Sequence, residues 1–350
     1  MQKGVKMTRF IKILKEAIKG LEGLNIAILY HFDVDGCASA SILARIFTKI
    51  NVRYEQIPIT RGYEKSIEEK IRSSHFDRIL LVDYVPDTSF LNIMSTYKAI
   101  LIDHHKHEDF LNGFQYYTSE DYDCNLAISY TLYKLAKEFN IENLDWLAKL
   151  SSFWDKCIEF TEFNEQDVYS KNMELFLPFN LLVNLTALKG AKKLVEIFNE
   201  SESFDDALNN LKQSQDYLKA KEIFKKEFND IQKTKQVFPE IKLEIYKIRT
   251  KFKHIRVYVD YLSFTKDEGT MVYIVDEKNQ FKFSFRTTFE IDLEEIVKQM
   301  SKEIKEFSGG GHKKACGAIL RSHDVDSVIN RFSELYKEKY LEKEKLEKSS

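Results

Sequence analysis

The chain has 350 residues, 43% of them apolar and 31% charged, with 26 Phe and 18 Tyr against only 12 Gly and 4 Pro. That much apolar surface excludes a disordered, collagen-like or Pro-rich chain, and at about 150 residues per domain the length allows two cores. Lys and Arg number 53 and Asp and Glu 55, a net charge of −2, which excludes a polyanion binder held by bulk charge and leaves only a local basic groove.

The first twenty residues, MQKGVKMTRFIKILKEAIKG, are basic and amphipathic without a continuous apolar run. They read as a surface helix, not a secretory signal. No stretch reaches the ~18 apolar residues that a membrane helix needs, and the chain is expected in the cytoplasm. The cysteines at 37, 124, 157 and 316 form no CxxC pair and are expected to be free thiols. Residues 25–30 read as a buried strand, 37–50 as a helix that starts with small residues, 52–59 as a strand and 63–74 as a polar helix. Strands follow at 78–83 and 98–103, both ending in Asp, then helices at about 125–139 and 143–158. This alternation predicts an α/β domain with a parallel sheet. The polar, charged stretch from 188 to about 238 reads as connecting helices. Beyond it KLEIYKI, HIRVYVD, MVYIVDE and FKFSFRT read as strands of a smaller α/β domain. A helix near 291–304, a glycine cluster, the strand GAILR and a last helix complete that domain. The predicted organisation is 1–187, 188–238, 239–336 and a charged tail at 337–350, read as a helical extension.

The chemistry concentrates at strand ends. His31-Phe32-Asp33-Val34-Asp35-Gly36 closes the first strand, and in an extended chain 31, 33 and 35 point to one side. Two further strands deliver Asp83 and Asp103, the latter followed by His104 and His105. The C-terminal ends of parallel strands are where open α/β sheets place ligands. So many carboxylates repel one another unless a cation lies between them. Mixed Asp and His donors suit Mn²⁺, Mg²⁺ or Zn²⁺. Seven groups exceed the needs of one ion and match two, the device for phosphoryl hydrolysis.

HxDxDG, a strand-end Asp and then Asp-His-His resemble the motif series of the DHH phosphoesterase superfamily, and SGGGHKKACGA resembles the GGGH motif of its DHHA1 domain. The resemblance covers about 25–335. It implies a DHH catalytic domain, a helical connector and a smaller DHHA1 domain, the first and last facing each other across a cleft. It implies His31, Asp33 and Asp83 as ligands of one cation. Asp35, Asp83, His104 and a fourth-motif Asp would hold the second. Asp155, in SSFWDKC, fits the fourth motif best by position, with Asp145 in competition. His105 would contact the scissile phosphate and Asp103 would orient a ligand. The usual metal is manganese, with magnesium possible.

The glycine cluster also has its own physics. Gly309, Gly310 and Gly311 can expose consecutive N–H groups as an anion-binding concavity, with His312, Lys313 and Lys314 adding donors and charge. His107, His75, His254 and His323 read as ordinary histidines, and Phe153 and Trp154 as core. Within the superfamily, GGGH argues against the pyrophosphatase branch. DVDGCASAS is closer to the RecJ-type first motif, although His31 stands where RecJ-type enzymes generally have Asp. The length suits a compact archaeal RecJ-like exonuclease acting on single-stranded DNA or RNA or on short oligonucleotides. A replication or repair protein partner and a homo-oligomer are both compatible with this reading. The alternatives are a nanoRNase or pAp phosphatase, a cyclic-dinucleotide hydrolase and, outside enzymes, a replication scaffold.

Overall fold

The computed structural model describes residues 2–86, 88–105, 115–118, 126–158, 161–163, 168–250, 255–265, 268–277, 280–322 and 324–349. Cys124, His107, His254 and His323 lie outside the described residues. The chain forms two compact units, Met1–Ala220 and Lys221–Ser350.

The first unit holds α1 (Gln2–Lys19), β1 (Asn25–His31), α2 (Val34–Lys49), β2 (Arg53–Ile59), α3 (Glu64–Arg72), β3 (Arg78–Val82), α4 (Thr88–Thr96), β4 (Ile100–Asp103) and β5 (Gln115–Thr118). Helices α5 (Ile128–Glu138), α6 (Asp145–Trp154), α7 (Val168–Thr186), α8 (Leu188–Glu200) and α9 (Phe204–Gln213) follow. The five strands run in the order β2-β1-β3-β4-β5, all parallel. A parallel sheet is covered on both faces, and NIAILYH is accordingly apolar almost throughout. On one face Ala27 and Leu29 of β1, Ile79 and Leu81 of β3 and Ile57 of β2 pack with α3 and α4. Helix α2 packs against the sheet and also meets α5, α6, α7 and α8. A helix enclosed on several sides needs small residues, which the run Gly36-Cys37-Ala38-Ser39-Ala40-Ser41 supplies, all buried. The register Tyr30↔Val82 and Val82↔Ile102 aligns the C-terminal ends of β1, β3 and β4.

The stretch expected as a connector contains α8, α9, α10 (Gln215–Lys233) and β6 (Gln236–Phe238). The second unit continues with β7 (Leu243–Ile248), α11 (Arg256–Phe264), β8 (Thr270–Glu277), β9 (Gln280–Thr287), α12 (Leu293–Glu303), β10 (Phe307–His312), β11 (Ala315–Leu320) and α13 (Val325–Ser349). Its six strands run β10-β11-β9-β8-β7-β6 in a mixed sheet. Val272, Ile274, Phe283 and Phe285 face α12 and α13 in one core. The charged tail continues α13 without a break.

One expected strand is a helix. The RVYVD part of HIRVYVD, residues 256–260, falls within α11, although its alternation and β-branched residues suggest extension. Strands β7 and β8 are parallel neighbours, which need a crossover between them, and α11 is that crossover. Tyr258 and Tyr261, three apart, pack on Phe224 and Phe228 of α10, four apart, with ring centroids 5.2–5.4 Å apart. Helical spacing of large aromatics outweighs the local β preference.

Candidate metal centre

Only His31 of the first motif lies in β1. Asp33 is the N-cap of α2, its Oδ1 accepting from Gly36 N at 3.0 Å, and Asp35 sits in the first helical turn. Convergence therefore comes from the strand-to-helix turn and not from the alternation of an extended strand. Gly36 is required by close approach: a Cβ there would lie 2.1 Å from the His31 carbonyl oxygen.

Asp83 follows β3 with φ +56°, a left-handed conformation that Asp tolerates better than most residues. Its amide donates to Ile102 O at 3.0 Å, which aims the carboxylate along the sheet edge. The side chain is 1% exposed, and neither oxygen has a hydrogen-bond donor. Its Oδ2 lies 3.9 Å from His31 Nδ1, and its Oδ1 lies 3.3 Å from His104 Nε2 and 3.8 Å from His105 Nδ1. The two oxygens thus face different neighbours.

Donor atoms of His31, Asp33 and Asp83 lie within 4.8 Å of one another, and so do those of Asp35, His104 and Asp155. Asp155 caps the C-terminus of α6, its Oδ2 3.7 Å from His104 Nε2. Asp145 begins the same helix, exposed and ten residues away, which is ~15 Å along the axis. His104 Nδ1 lies 3.0 Å from Leu126 O. A carbonyl only accepts, so Nδ1 carries the proton and a neutral ring leaves Nε2 free to ligate.

Asp103 has a different place. It is fully buried, and its Oδ1 accepts from His104 N and from His105 Nδ1, both at 2.8 Å. That bond, aided by the Asp103 charge, raises the His105 pKa, while half of the imidazole stays exposed. Asp35 is also engaged by the backbone. Its two oxygens accept from Ile128 N at 2.8 Å and Ser129 N at 3.0 Å, at the N-terminus of α5. Cys157 Sγ accepts from Ala127 N at 3.1 Å, and burial followed by the Asp155 charge pushes the thiol up to about 12. Sequence reasoning passes over these last contacts because their partners are main-chain groups.

The charges crowded at the site bear on whether a cation fits. Burial opposes ionisation of Asp33, but the His31 charge and the bonds from His31 and Gly36 outweigh it and hold the carboxyl well below the usual range. Burial, then the charges of Asp33, Asp35, Asp155 and Asp103, push Asp83 well above it. A buried carboxylate without a donor, flanked by four others, is relieved by a cation. The donor set of three carboxylates and two imidazoles around it suits a divalent ion.

The glycine triplet lies in an edge strand. Residues 307–312 pair antiparallel with β11, so Gly309 to His312 form no concavity of consecutive amides. A Cβ at Gly309 would lie 2.5 Å from Ala318 Cβ and 2.8 Å from Val297 Cγ1 under α12, and one at Gly311, with φ +149°, 2.5 Å from Ala315 O. Gly310 faces open space, and His312 and Lys313 are exposed. Lys314 pairs with Glu290. The register places His312, Ala315 and Arg286 in one row across three strands. Arg286 Nη1 donates to Phe285 O and Cys316 O. Cys37, Cys157 and Cys316 are free and buried, Phe153 and Trp154 are core, and His75 is exposed. No described helix is long and apolar enough to cross a membrane.

Comparison with known proteins agrees with this layout. The model of the DHH family N-terminal domain matches residues 25–151, and that of the DHHA1 domain matches 241–338. No curated protein matches the sequence. Among solved structures, RecJ of Thermus thermophilus with Mn²⁺ superposes with a TM-score of 0.59 at 13% identity, over 95% of this chain and 55% of that one. This chain therefore spans about half the length of the Thermus protein. An exonuclease RecJ bound to manganese gives 0.55 at 15% identity, over 95% and 94%. The pGpG-specific phosphodiesterase PggH of Vibrio cholerae gives 0.52 at 13% identity, over 91% and 100%. At such identities the likeness is one of fold. With one family domain spanning the strands of the metal centre and the other spanning the sheet of the glycine triplet, the chain belongs to the DHH family of phosphoesterases.

Proposed function

We propose that the protein is a divalent-metal phosphodiesterase that removes nucleotides from an end of single-stranded nucleic acid. The observation that carries this reading is Asp83, buried and without donors, with one oxygen turned to His31 and the other to His104. His31, Asp33 and Asp83 would hold one cation and Asp35, Asp83, His104 and Asp155 the second, Mn²⁺ or Mg²⁺. Such ions activate water and neutralise charge on a phosphoryl group. His105, charged through Asp103, donates from its exposed edge to a phosphate oxygen. On the second unit, His312, Lys313 and Gly310 take up further substrate phosphates on an open sheet face. The RecJ-like first motif and the fold shared with RecJ favour a longer strand over a dinucleotide. The fold shared with PggH supports a second reading, a short-oligonucleotide phosphodiesterase. A cytoplasmic location accords with the free thiols.

The test compares kcat/KM on a ~20-nucleotide single strand and on a dinucleotide in Mn²⁺. The exonuclease reading expects the strand to be degraded, with activity falling as salt rises because each neutralised phosphate releases counterion. Replacing Lys313 by Ala should affect the strand more than the dinucleotide. Turnover of the dinucleotide alone selects the second reading, and turnover of neither overturns both.

A further inference from the structure

Of the group Asp35, His104 and Asp155, the first two bond directly to one stretch of four residues, and the turn that carries the third is bonded to it through Cys157. Leu126 O bonds His104 Nδ1 at 3.0 Å, Ile128 N and Ser129 N bond Asp35 at 2.8 and 3.0 Å, and Ala127 N bonds Cys157 Sγ at 3.1 Å, two residues beyond Asp155. The stretch is buried, with Ala127 extended (φ −54°, ψ 143°) before α5 begins, so its successive polar groups diverge towards different partners. The turn that carries Asp155 is fixed to its own helix by Asp155 N to Ser151 O at 2.9 Å and Cys157 N to Ser152 O at 3.0 Å. The thiol ties that turn to the stretch holding the other two residues.

We infer that Leu126–Ser129 is the positioning element of the second cation site and that Cys157 is the positioning residue that sets Asp155 within it. The inference rests on the metal-dependent reading above. It requires nothing of the thiol as a nucleophile or a ligand. What matters is an acceptor for a buried N–H at the distance a sulfur provides. Without it, the Ala127 amide is left unpaired and the end of α6 that carries Asp155 keeps, among the described residues, only the hydroxyl pair Ser129–Ser151 to the stretch, four residues before Asp155. The hydrogen bonds that hold His31 and Asp33 run to each other and to Gly36, not to this stretch, so the first group is expected to be unaffected.

The test is a calorimetric Mn²⁺ titration of the full chain as wild type, Cys157→Ala and Cys157→Ser, with circular dichroism as a check of the fold. Residues that orient a metal ligand change affinity by about 10- to 100-fold. Cys157→Ala should weaken the second ion by about tenfold or more and leave the first within about twofold. Cys157→Ser keeps an acceptor and should restore the second to within about threefold of wild type. If Cys157→Ala does not fold, Cys157→Val, which fills the space without a strong acceptor, carries the same comparison. A variant with lower thermal stability and both affinities unchanged overturns the inference, as does equal weakening of both ions. Wild-type protein that takes up no ion overturns the metal-dependent reading itself, and one that takes up a single ion overturns the second site and with it this inference, before any variant is compared.

Discussion

Asp83→Asn should change sign with the metal. Asp83 shares a 4.8 Å radius with donor oxygens of Asp33 on one side and of Asp103 on the other. Two unit charges 4.8 Å apart repel by about 3.5 kcal/mol at an effective dielectric constant of ~20. Because the folded carboxyl titrates well above its unfolded value, the folded state holds the proton longer than the unfolded one. That contribution to stability is complete below the unfolded pKa of about 3.9 and is lost as pH rises through the folded value. Asparagine keeps the shape and the left-handed backbone and removes the charge. In chelator at pH 8 the variant should therefore melt above wild type, with the gap closing towards pH 4. Divalent metal reverses the order. An ion at a hundredfold over its Kd stabilises by about 2.7 kcal/mol, and two ions by about twice that. For a unit of this size, with about 2–4 °C per kcal/mol, the wild-type Tm should rise by roughly 10–20 °C. The variant should lose most of that rise. Thermal melts followed by circular dichroism, with EDTA and with excess MnCl₂, measure all four values. A variant that melts below wild type in EDTA, or that keeps the full metal-induced rise, refutes the bridging role.

Asp155→Asn should lower the number of bound Mn²⁺ ions from two to one in calorimetry, whereas Asp145→Asn, exposed at the far end of α6, should leave it at two; the reverse result would assign the fourth motif to Asp145. Asp103→Asn removes the carboxylate that raises the His105 pKa, so the alkaline limb of kcat/KM should move to lower pH, because the protonated imidazole is the active form and is lost sooner as pH rises. An alkaline limb that stays in place would separate His105 from the pH profile.

The sequence made the sheet legible because a parallel strand covered on both faces has nowhere to place a polar residue except at its end. NIAILYH, RILLV and ILID are therefore apolar in their interiors, and the polar residue at or just past each C-terminal end, His31, Asp83 and Asp103, marks the site. The same logic fails for α11. Its valines fit a strand, and only the parallel pairing of β7 with β8 demands a helix there, a constraint absent from the local sequence. The glycine triplet misleads for a related reason. Three glycines suggest an anion-binding concavity, yet two of them answer to close packing, against Val297 and Ala318 for Gly309 and Ala315 for Gly311. Asp35 shows the limit from another side. Its place in HxDxDG marks it as a candidate ligand, but nothing in the motif reveals that its oxygens also hold the α5 amides.

That double engagement bears on how such a site survives without its ions. Carboxylates crowded around Asp83 favour a local structure that spreads them apart, so the scaffold must over-determine their positions. Asp33 is held as the cap of α2, Asp35 by the first amides of α5, and Asp103 by His104 N and His105 Nδ1. Each of these three carboxylates has a structural partner that stabilises its charge. Asp83 has none and sits where the other charges meet, on a strained φ just past a strand that is buried from Ile79 to Val82. Electrostatic cost is thus concentrated in one residue, the one placed to gain from a cation on either side. A variant that moves the cost elsewhere, by freeing Asp35 from α5, should loosen the helices before it empties the site. Hydrogen exchange at Ile128 and Ser129 in Asp35→Asn, compared with Asp83→Asn, measures that order: faster exchange is expected only in the first.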